Sequence, residues 1–316
     1  MMRWRIVPVL LSFIAAGAYF EWRNKAATEV SGPLTKQIPT NKDKIELLVV
    51  GDFGIGNQRQ LEVAAAMEDW CKKSAPEGLV LLGDNIYMDG VSSVDDPLWK
   101  TIIETPLSSP CLRSLPIYPV LGNHDYKGNP NAQIEYSHKS DRWHLPSRFY
   151  AVKFDNLLEL VAIDTNVFDF CFDYKSCSLD FLRHKTKHKS TKFQIIMGHH
   201  PAISSSVKYP ETFQGRTIQH LVCDTDAYFA GHAHHFEHRQ LEQCRAQIIV
   251  AGTGGADLSP THDHSKSKFK ISKHGFMSLT ASADGLRYRF IDSKGQLLYD
   301  SENQSLQILS NIGGIR

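Results

Sequence analysis

Apolar and polar positions follow one another along this chain in a recurring unit: a short apolar run, a glycine, then an acidic, amide or imidazole side chain. Residues 45–50 run into Gly51-Asp52-Phe53-Gly54, residues 79–82 into Gly83-Asp84-Asn85-Ile86-Tyr87, and residues 117–121 into Gly122-Asn123-His124-Asp125. Residues 194–197 lead to Gly198-His199-His200-Pro201, and residues 227–230 to Gly231-His232-Ala233-His234-His235. Each run has the length and apolar content of a buried strand, and the glycine lets the chain turn sharply where the strand ends. Between the first two runs, residues 58–71 place Leu61, Ala64, Ala65 and Trp70 on one helical face. The result is a βαβ unit that predicts an α/β fold with Asp52 and Asp84 on one edge of a parallel sheet, where such proteins build sites. All five junctions are expected to feed that edge.

The remaining pattern is plainer. A helix is predicted around 98–104 and strands of a second sheet at 149–154 and 158–163, after a loop over 137–148. Residues 179–188 read as a basic amphipathic helix whose Arg183, Lys185 and Lys187 form a solvated face. Residues 247–251 lead into Gly252-Thr253-Gly254-Gly255, to which no role is given. Strand-like runs at 276–281, 286–291 and 296–299, separated by Asp284-Gly285 and Lys294-Gly295 turns, close the domain. The expected domain is 45–302, followed by a tail over 303–316. Residues 21–44, polar and carrying Pro33 and Pro39, read as a linker.

The N-terminus breaks the pattern. Arg3 and Arg5 flank Trp4, residues 6–20 carry no charge, and Ala16-Gly17-Ala18 offers small residues at cleavage spacing. That is the layout of a secretory signal. The run is shorter than the roughly 20 residues of a spanning helix, and residues 1–20 fit either a cleaved signal or a retained membrane anchor; both place the domain outside the cytoplasm. A net charge of +1 gives no bulk electrostatic reason for a nucleic-acid partner, and the chain is long enough to fold as a monomer. Six cysteines suit an oxidising compartment and allow about fifteen complete pairings. Nearness favours Cys171 with Cys177, Cys223 and Cys244 bracket a strand–loop–strand, and Cys71 is left with Cys111; buried free thiols are the alternative.

Histidine is the conspicuous count, at 15. A lone histidine is ordinarily surface or hydrogen-bonded core, and Gly-Asp-Asn is ordinary turn chemistry. Five junctions of one construction are a different matter. They deliver two Asp, a Tyr, an Asn and several His, a mixture of oxygen and imidazole donors suited to a pair of hard or borderline cations and not to a thiolate zinc site. His235 and His238 read as structural or exposed, and His262 and His264 as part of a solvated loop with Lys266, Lys268 and Lys270.

In order and composition these five blocks resemble those of the metallophosphoesterases, and Tyr87 narrows the resemblance to the purple acid phosphatases. The stretch from Gly122 through Gly128-Asn129, Arg142-Trp143 and Pro146-Ser147-Arg148-Phe149-Tyr150 is similar to the small, tartrate-resistant animal branch. The resemblance implies a four-layer α/β/β/α sandwich, two mixed sheets flanked by helices, and a binuclear metal centre that cleaves small phosphate monoesters with a metal-generated hydroxide. It implies Fe(III) on Asp52, Asp84, Tyr87 and His234, coloured by its phenolate, and a divalent Fe, Zn or Mn on Asp84, Asn123, His199 and His232. His124 takes the position of the family's outer histidine, which contacts phosphate or protonates the leaving oxygen. The family's second substrate histidine is missing: counting without a gap puts Lys208 in its place. Lys208 supplies the charge, His200 takes over the task, or no equivalent exists. The metal motifs do not read the leaving group, so a phosphodiesterase or nucleotide hydrolase is the enzymatic alternative, and a scaffold with a degraded site the non-enzymatic one. A possible activation loop at 168–178 holds Cys171 and Cys177 and is expected to be stapled shut.

Overall fold

The computed structural model describes residues 34–40, 42–170, 179–209, 212–263 and 266–302. The segments 1–33 and 303–316 and the Cys171–Cys177 pairing lie outside the described residues, as does His264.

Six strands form one sheet: β2 (Lys44–Val50), β3 (Gly78–Leu81), β4 (Ile117–Pro119), β12 (Gly275–Ser282), β13 (Leu286–Asp292) and β14 (Leu297–Asp300), in the order β14-β13-β12-β2-β3-β4. The other sheet has eight: β1 (Leu34–Ile38), β5 (Tyr150–Phe154), β6 (Leu158–Ala162), β7 (Phe193–Met197), β8 (Ala227–Ala230), β9 (Phe236–Gln240), β10 (Gln247–Ala251) and β11 (Phe269–Ile271), in the order β1-β5-β6-β7-β8-β10-β9-β11. In the first sheet β2, β3 and β4 run parallel. In the second, β6, β7, β8 and β10 do.

Period-2 alternation explains the layering. On β7, Ile195 and Met197 join the core between the sheets while Ile196 joins a smaller cluster with Leu182, Ile218 and Val222. Those last residues belong to helices α3 (Leu179–Lys187) and α4 (Phe213–Val222), which cover the outer face of the eight-stranded sheet. Helix α1 (Gln58–Ser74) packs on β2 and β12 of the six-stranded sheet. Both sheets are therefore buried on two faces, as the four-layer sandwich requires. A short helix, α2 (Pro130–Glu135), follows β4.

α1 starts at Asn57, whose side chain accepts the Gln60 N–H at 3.0 Å, and ends at Ala75 in the left-handed region. The Cys71–Cys111 disulfide staples it to the segment before β4, and Cys223–Cys244 joins the end of α4 to the approach to β10. Both are pairings the sequence suggested.

Two expectations need correction. The segment 21–44 is not linker throughout: β1 lies within it and pairs in parallel with β5 along its whole length. It is an edge strand with half-exposed side chains and no apolar run, so periodicity could not reveal it. Nor do the five glycine junctions share one sheet edge. Three follow β2, β3 and β4 of the six-stranded sheet, and two follow β7 and β8 of the other. The site is built where the carboxyl ends of two packed sheets meet.

Candidate metal centre

The loops that carry the candidate ligands are held by their backbones. Gly51 N–H donates to the Ala251 carbonyl at 2.8 Å, Asp52 N–H to Gly83 at 3.1 Å, and Gly231 N–H to His199 at 3.0 Å. The loops lie so close that side chains are excluded. A Cβ on Gly122 would stand 2.2 Å from Asp84 Oδ1, and one on Gly231 would stand 2.7 Å from Asp52 Oδ2. Asp52, Asp84 and His232 have φ of 56°, 51° and 60°. These left-handed conformations are costly for residues with a Cβ, and they concentrate here because the surrounding bonds enforce them.

Two groups of donors result. In one, Tyr87 Oη lies 2.9 Å from Asp52 Oδ1 and 3.4 Å from His234 Nε2, which is itself 3.1 Å from Asp52 Oδ1. In the other, His199 Nε2 lies 3.4 Å from Asp84 Oδ1 and 3.1 Å from Asn123 Oδ1; His232 Nδ1 lies 2.9 Å from Asn123 Oδ1 and 3.2 Å from His199 Nε2. The structure thus brings together Asp52, Asp84, Tyr87, Asn123, His199, His232 and His234.

Tautomers test whether this is a donor set for cations. His199 Nδ1 contacts the Leu82 carbonyl at 2.8 Å and His234 Nδ1 the Asp257 carbonyl at 2.7 Å. A carbonyl only accepts, so each Nδ1 carries the proton. In the neutral ring Nε2 then presents its lone pair, and on His199 that lone pair faces two oxygens. Acceptor against acceptor is unfavourable unless a proton or a cation sits between. Burial works against a charged His199, yet the Asp84 carboxylate overrides it and pushes the ring up to about 9. Asp84 in turn, despite burial, is held well below the usual carboxylate range by His199. Burial, aided by His199, pushes His232 down to about 3, so the imidazole pair shares one positive charge. Burial and the Asp52 and Asp84 carboxylates drive the Tyr87 phenol far above its ordinary value. The cluster is short of positive charge, and its oxygen and imidazole donors fit hard and borderline cations.

Around this cluster, His124 donates its backbone N–H to Asp84 Oδ1 at 2.8 Å and sets its ring 4.3 Å from that of Tyr87. His200 is bound to Thr165 Oγ1 through Nδ1, at 2.8 Å, and packs 4.6 Å from His232. Lys208 is exposed and, with His200 and His232, lines a cavity of about 260 Å³. His235 and His238 are buried structural groups. His235 binds Glu237 at 3.0 Å; His238 binds Tyr299 at 2.8 Å and Gln247 at 2.9 Å.

Sequence reasoning missed Asp125. Fully buried, it accepts N–H bonds from Gly122 at 2.8 Å, Asn85 at 3.1 Å and Ile86 at 3.2 Å, and from the Gln133 side chain at 2.7 Å. One carboxylate thereby clamps the Asp84 loop to the Asn123 loop. The signal was present in Gly122-Asn123-His124-Asp125 but reads equally as a turn. Tyr209, whose ring lies 4.3 Å from His232, was missed too.

Residues 45–236 match the calcineurin-like phosphoesterase family. The chain belongs to that family. Among individual proteins it is similar to purple acid phosphatase 4 of Arabidopsis thaliana, 29% identical over 83% of this chain and 84% of that one. It is similar also to human tartrate-resistant acid phosphatase type 5, 24% identical over 81% and 89%. Two solved structures share the architecture. One is GAP50, "the anchor in the inner membrane complex of Plasmodium", with a TM-score of 0.69 and 25% identity over 82% and 88% of the two chains. The other is the purple acid phosphatase PPD1 of yellow lupin, with a TM-score of 0.61 over 83% and 54% at 18% identity, a likeness of fold alone.

Proposed function

We propose that this protein is an exported, binuclear metal-dependent acid phosphatase acting on phosphate monoesters. Asp52, Asp84, Tyr87 and His234 would hold one cation, and Asp84, Asn123, His199 and His232 would hold the other. The observation that carries this reading is the convergence of seven oxygen and imidazole donors at the ends of two sheets. Relatives named as purple and tartrate-resistant acid phosphatases support the reaction class. The Tyr87 phenol supports Fe(III) in the first position, and the amide and imidazoles support divalent Fe, Zn or Mn in the second. Two disulfides support an oxidising compartment. Among the described residues no helix is long and apolar enough to cross a membrane.

When bound, the paired cations supply Lewis acidity and an acidified water. The chain's own groups do the positioning. His124 commits Nδ1 to the Met88 carbonyl at 2.6 Å, which leaves Nε2, when the ring carries both protons, to donate to the phosphoryl oxygens or to protonate the leaving alcohol. His200 is turned onto Thr165, whereas Lys208 is exposed at the cavity; Lys208 is therefore the group that offers substrate a positive charge.

The test is metal analysis and a visible spectrum of the purified protein, with turnover of phenyl phosphate and diphenyl phosphate across pH. The expected result is about two metal equivalents, a colour that disappears in Tyr87→Phe, and monoester hydrolysis favoured in acid. A colourless protein with zinc or manganese and a preference for the diester would transfer the reading to a phosphodiesterase. The likeness to GAP50 favours a second reading, an anchor on the same fold; failure to take up metal after reconstitution would favour it.

A further inference from the structure

The strand that delivers His199 goes on to build a wall beside it. After Gly198-His199-His200-Pro201 the chain runs through Ala202 and Ile203 to Tyr209, and these residues line the cavity of about 260 Å³ that abuts His200 and His232. That size falls just below the usual range for small-molecule pockets, roughly 300 Å³ upward. It admits one ring with its substituent and no macromolecule. Tyr209 is half-buried; its ring centroid lies 4.3 Å from that of His232 and 5.8 Å from that of His234, tilted 49° and 57°. Pro201, Ala202 and Ile203 add apolar surface, and no carboxylate is among the residues lining the cavity.

The wall is held firmly. Glu237 Oε2, itself bound by His235, accepts the Ser205 N–H at 2.8 Å and the Ser205 hydroxyl at 3.0 Å. The His262 N–H donates to the Ser205 carbonyl at 2.8 Å and the Val207 N–H to Pro260 at 2.9 Å. The segment leading to Tyr209 is thus bonded on both flanks, and the buried His235–Glu237 pair, which the metal centre does not use, anchors it.

We propose that this cavity is the leaving-group subsite and that Tyr209 is a specificity-determining residue, its ring packing on a flat ring attached to the ester oxygen of the substrate. The inference rests on the phosphatase reading, since it places the phosphoryl group at the neighbouring donor cluster. An aromatic face favours a ring over a small aliphatic alcohol because stacked pairs gain beyond the area they bury. Lys208, also on the cavity lining, attracts any anionic head alike, so discrimination between leaving groups falls to the shape of the Tyr209 face.

The experiment is calorimetric binding of phenylphosphonate and methylphosphonate to the metal-loaded full chain, in wild type, Tyr209→Ala and Tyr209→Phe. Both ligands carry the anionic head and neither can be hydrolysed. Tyr209→Ala is expected to weaken phenylphosphonate about tenfold and methylphosphonate less than about twofold, while Tyr209→Phe keeps the wild-type ratio. Equal weakening of both ligands would overturn the proposal, since Tyr209 would then merely support His232; so would no weakening of either. Turnover of phenyl phosphate by the wild type, measured alongside, judges the phosphatase reading separately: discriminating binding without turnover would leave Tyr209 a ring-binding residue but refute the phosphatase reading and, with it, the leaving-group role of the cavity.

Discussion

The two sheets contribute different chemistry to the site. Every oxygen donor of the cluster, Asp52, Asp84, Tyr87 and Asn123, follows a strand of the six-stranded sheet; every imidazole, His199, His232 and His234, follows a strand of the eight-stranded one. Each proposed cation takes ligands from both sides. Neither sheet alone offers a complete set, so the centre exists only when the sheets pack. Metal binding and the sheet–sheet core should then be linked, because a ligand that binds only the packed form stabilises it. The arrangement also gives each half a different duty. The oxygen side carries the negative charge, and the imidazole side carries rings of which two, His199 and His234, are fixed by backbone carbonyls.

Removing the charge at the centre should break this division most severely. Asp84 faces His199 and takes the His124 N–H, and the proposal gives it to both cations. Asn is tolerated at its left-handed position, so Asp84→Asn should fold. It should bind both metals poorly and lose on the order of a thousandfold in kcat/KM, several kcal/mol of charge stabilisation. Metal content and steady-state kinetics check this. A variant that keeps both metals and most of its activity would show that Asp84 does not join the two halves.

A smaller intrusion on the oxygen side comes next. Gly122→Ala puts a methyl group 2.2 Å from both Asp84 N and Asp84 Oδ1, and backbone cannot yield as a flexible side chain can. Displacing the Asp84 loop relative to the imidazoles should lower metal affinity about 10–100-fold, the usual effect of disturbing the groups behind a ligand. Competition with a chelator measures it. If affinity is unchanged while thermal stability falls, the glycine serves packing and not the site.

Much of this division was legible in the sequence and part of it was not. Each strand–glycine–ligand junction is local, so Asp52, Asp84, Asn123, His199 and His232 could be picked out one by one. Their distribution over two sheets could not, because nothing in a run of apolar residues states which strand it will pair with. β9 shows the difficulty. No apolar run marks Phe236-Glu237-His238-Arg239-Gln240, yet it lies between β10 and β11 with Glu237 and His238 buried. It becomes a strand because Ser205, Gln247 and Tyr299 satisfy those side chains from distant parts of the chain. Tyr209 was hidden for the same reason: its meaning is a contact with His232, 23 residues away by number.

The mildest test addresses the seam between the sheets. His238 belongs to the eight-stranded sheet and its Nδ1 meets Tyr299 Oη of β14, in the six-stranded one, at 2.8 Å. Burial outweighs the opposing bond to Gln247 and, with a smaller contribution from Lys268, holds the ring down to about 4. In the unfolded chain an imidazole titrates near its ordinary value of about 6.5. Between these two values the unfolded state binds more protons than the folded one. The neutral ring's contribution is therefore complete above about pH 6.5 and is lost as pH falls to about 4, by on the order of 2–3 kcal/mol. His238→Gln keeps a polar group toward Tyr299 and cannot titrate. It should be less stable than wild type at pH 7, by about 1–2 kcal/mol for an imperfect hydrogen-bond pair, and should lose less on acidification. Urea unfolding at pH 7 and pH 4.5 measures both, and the gap between the two proteins should narrow at the lower pH. A gap of constant width would mean that the proton taken up in acid lands elsewhere, and that the seam is held by its apolar core without help from this imidazole.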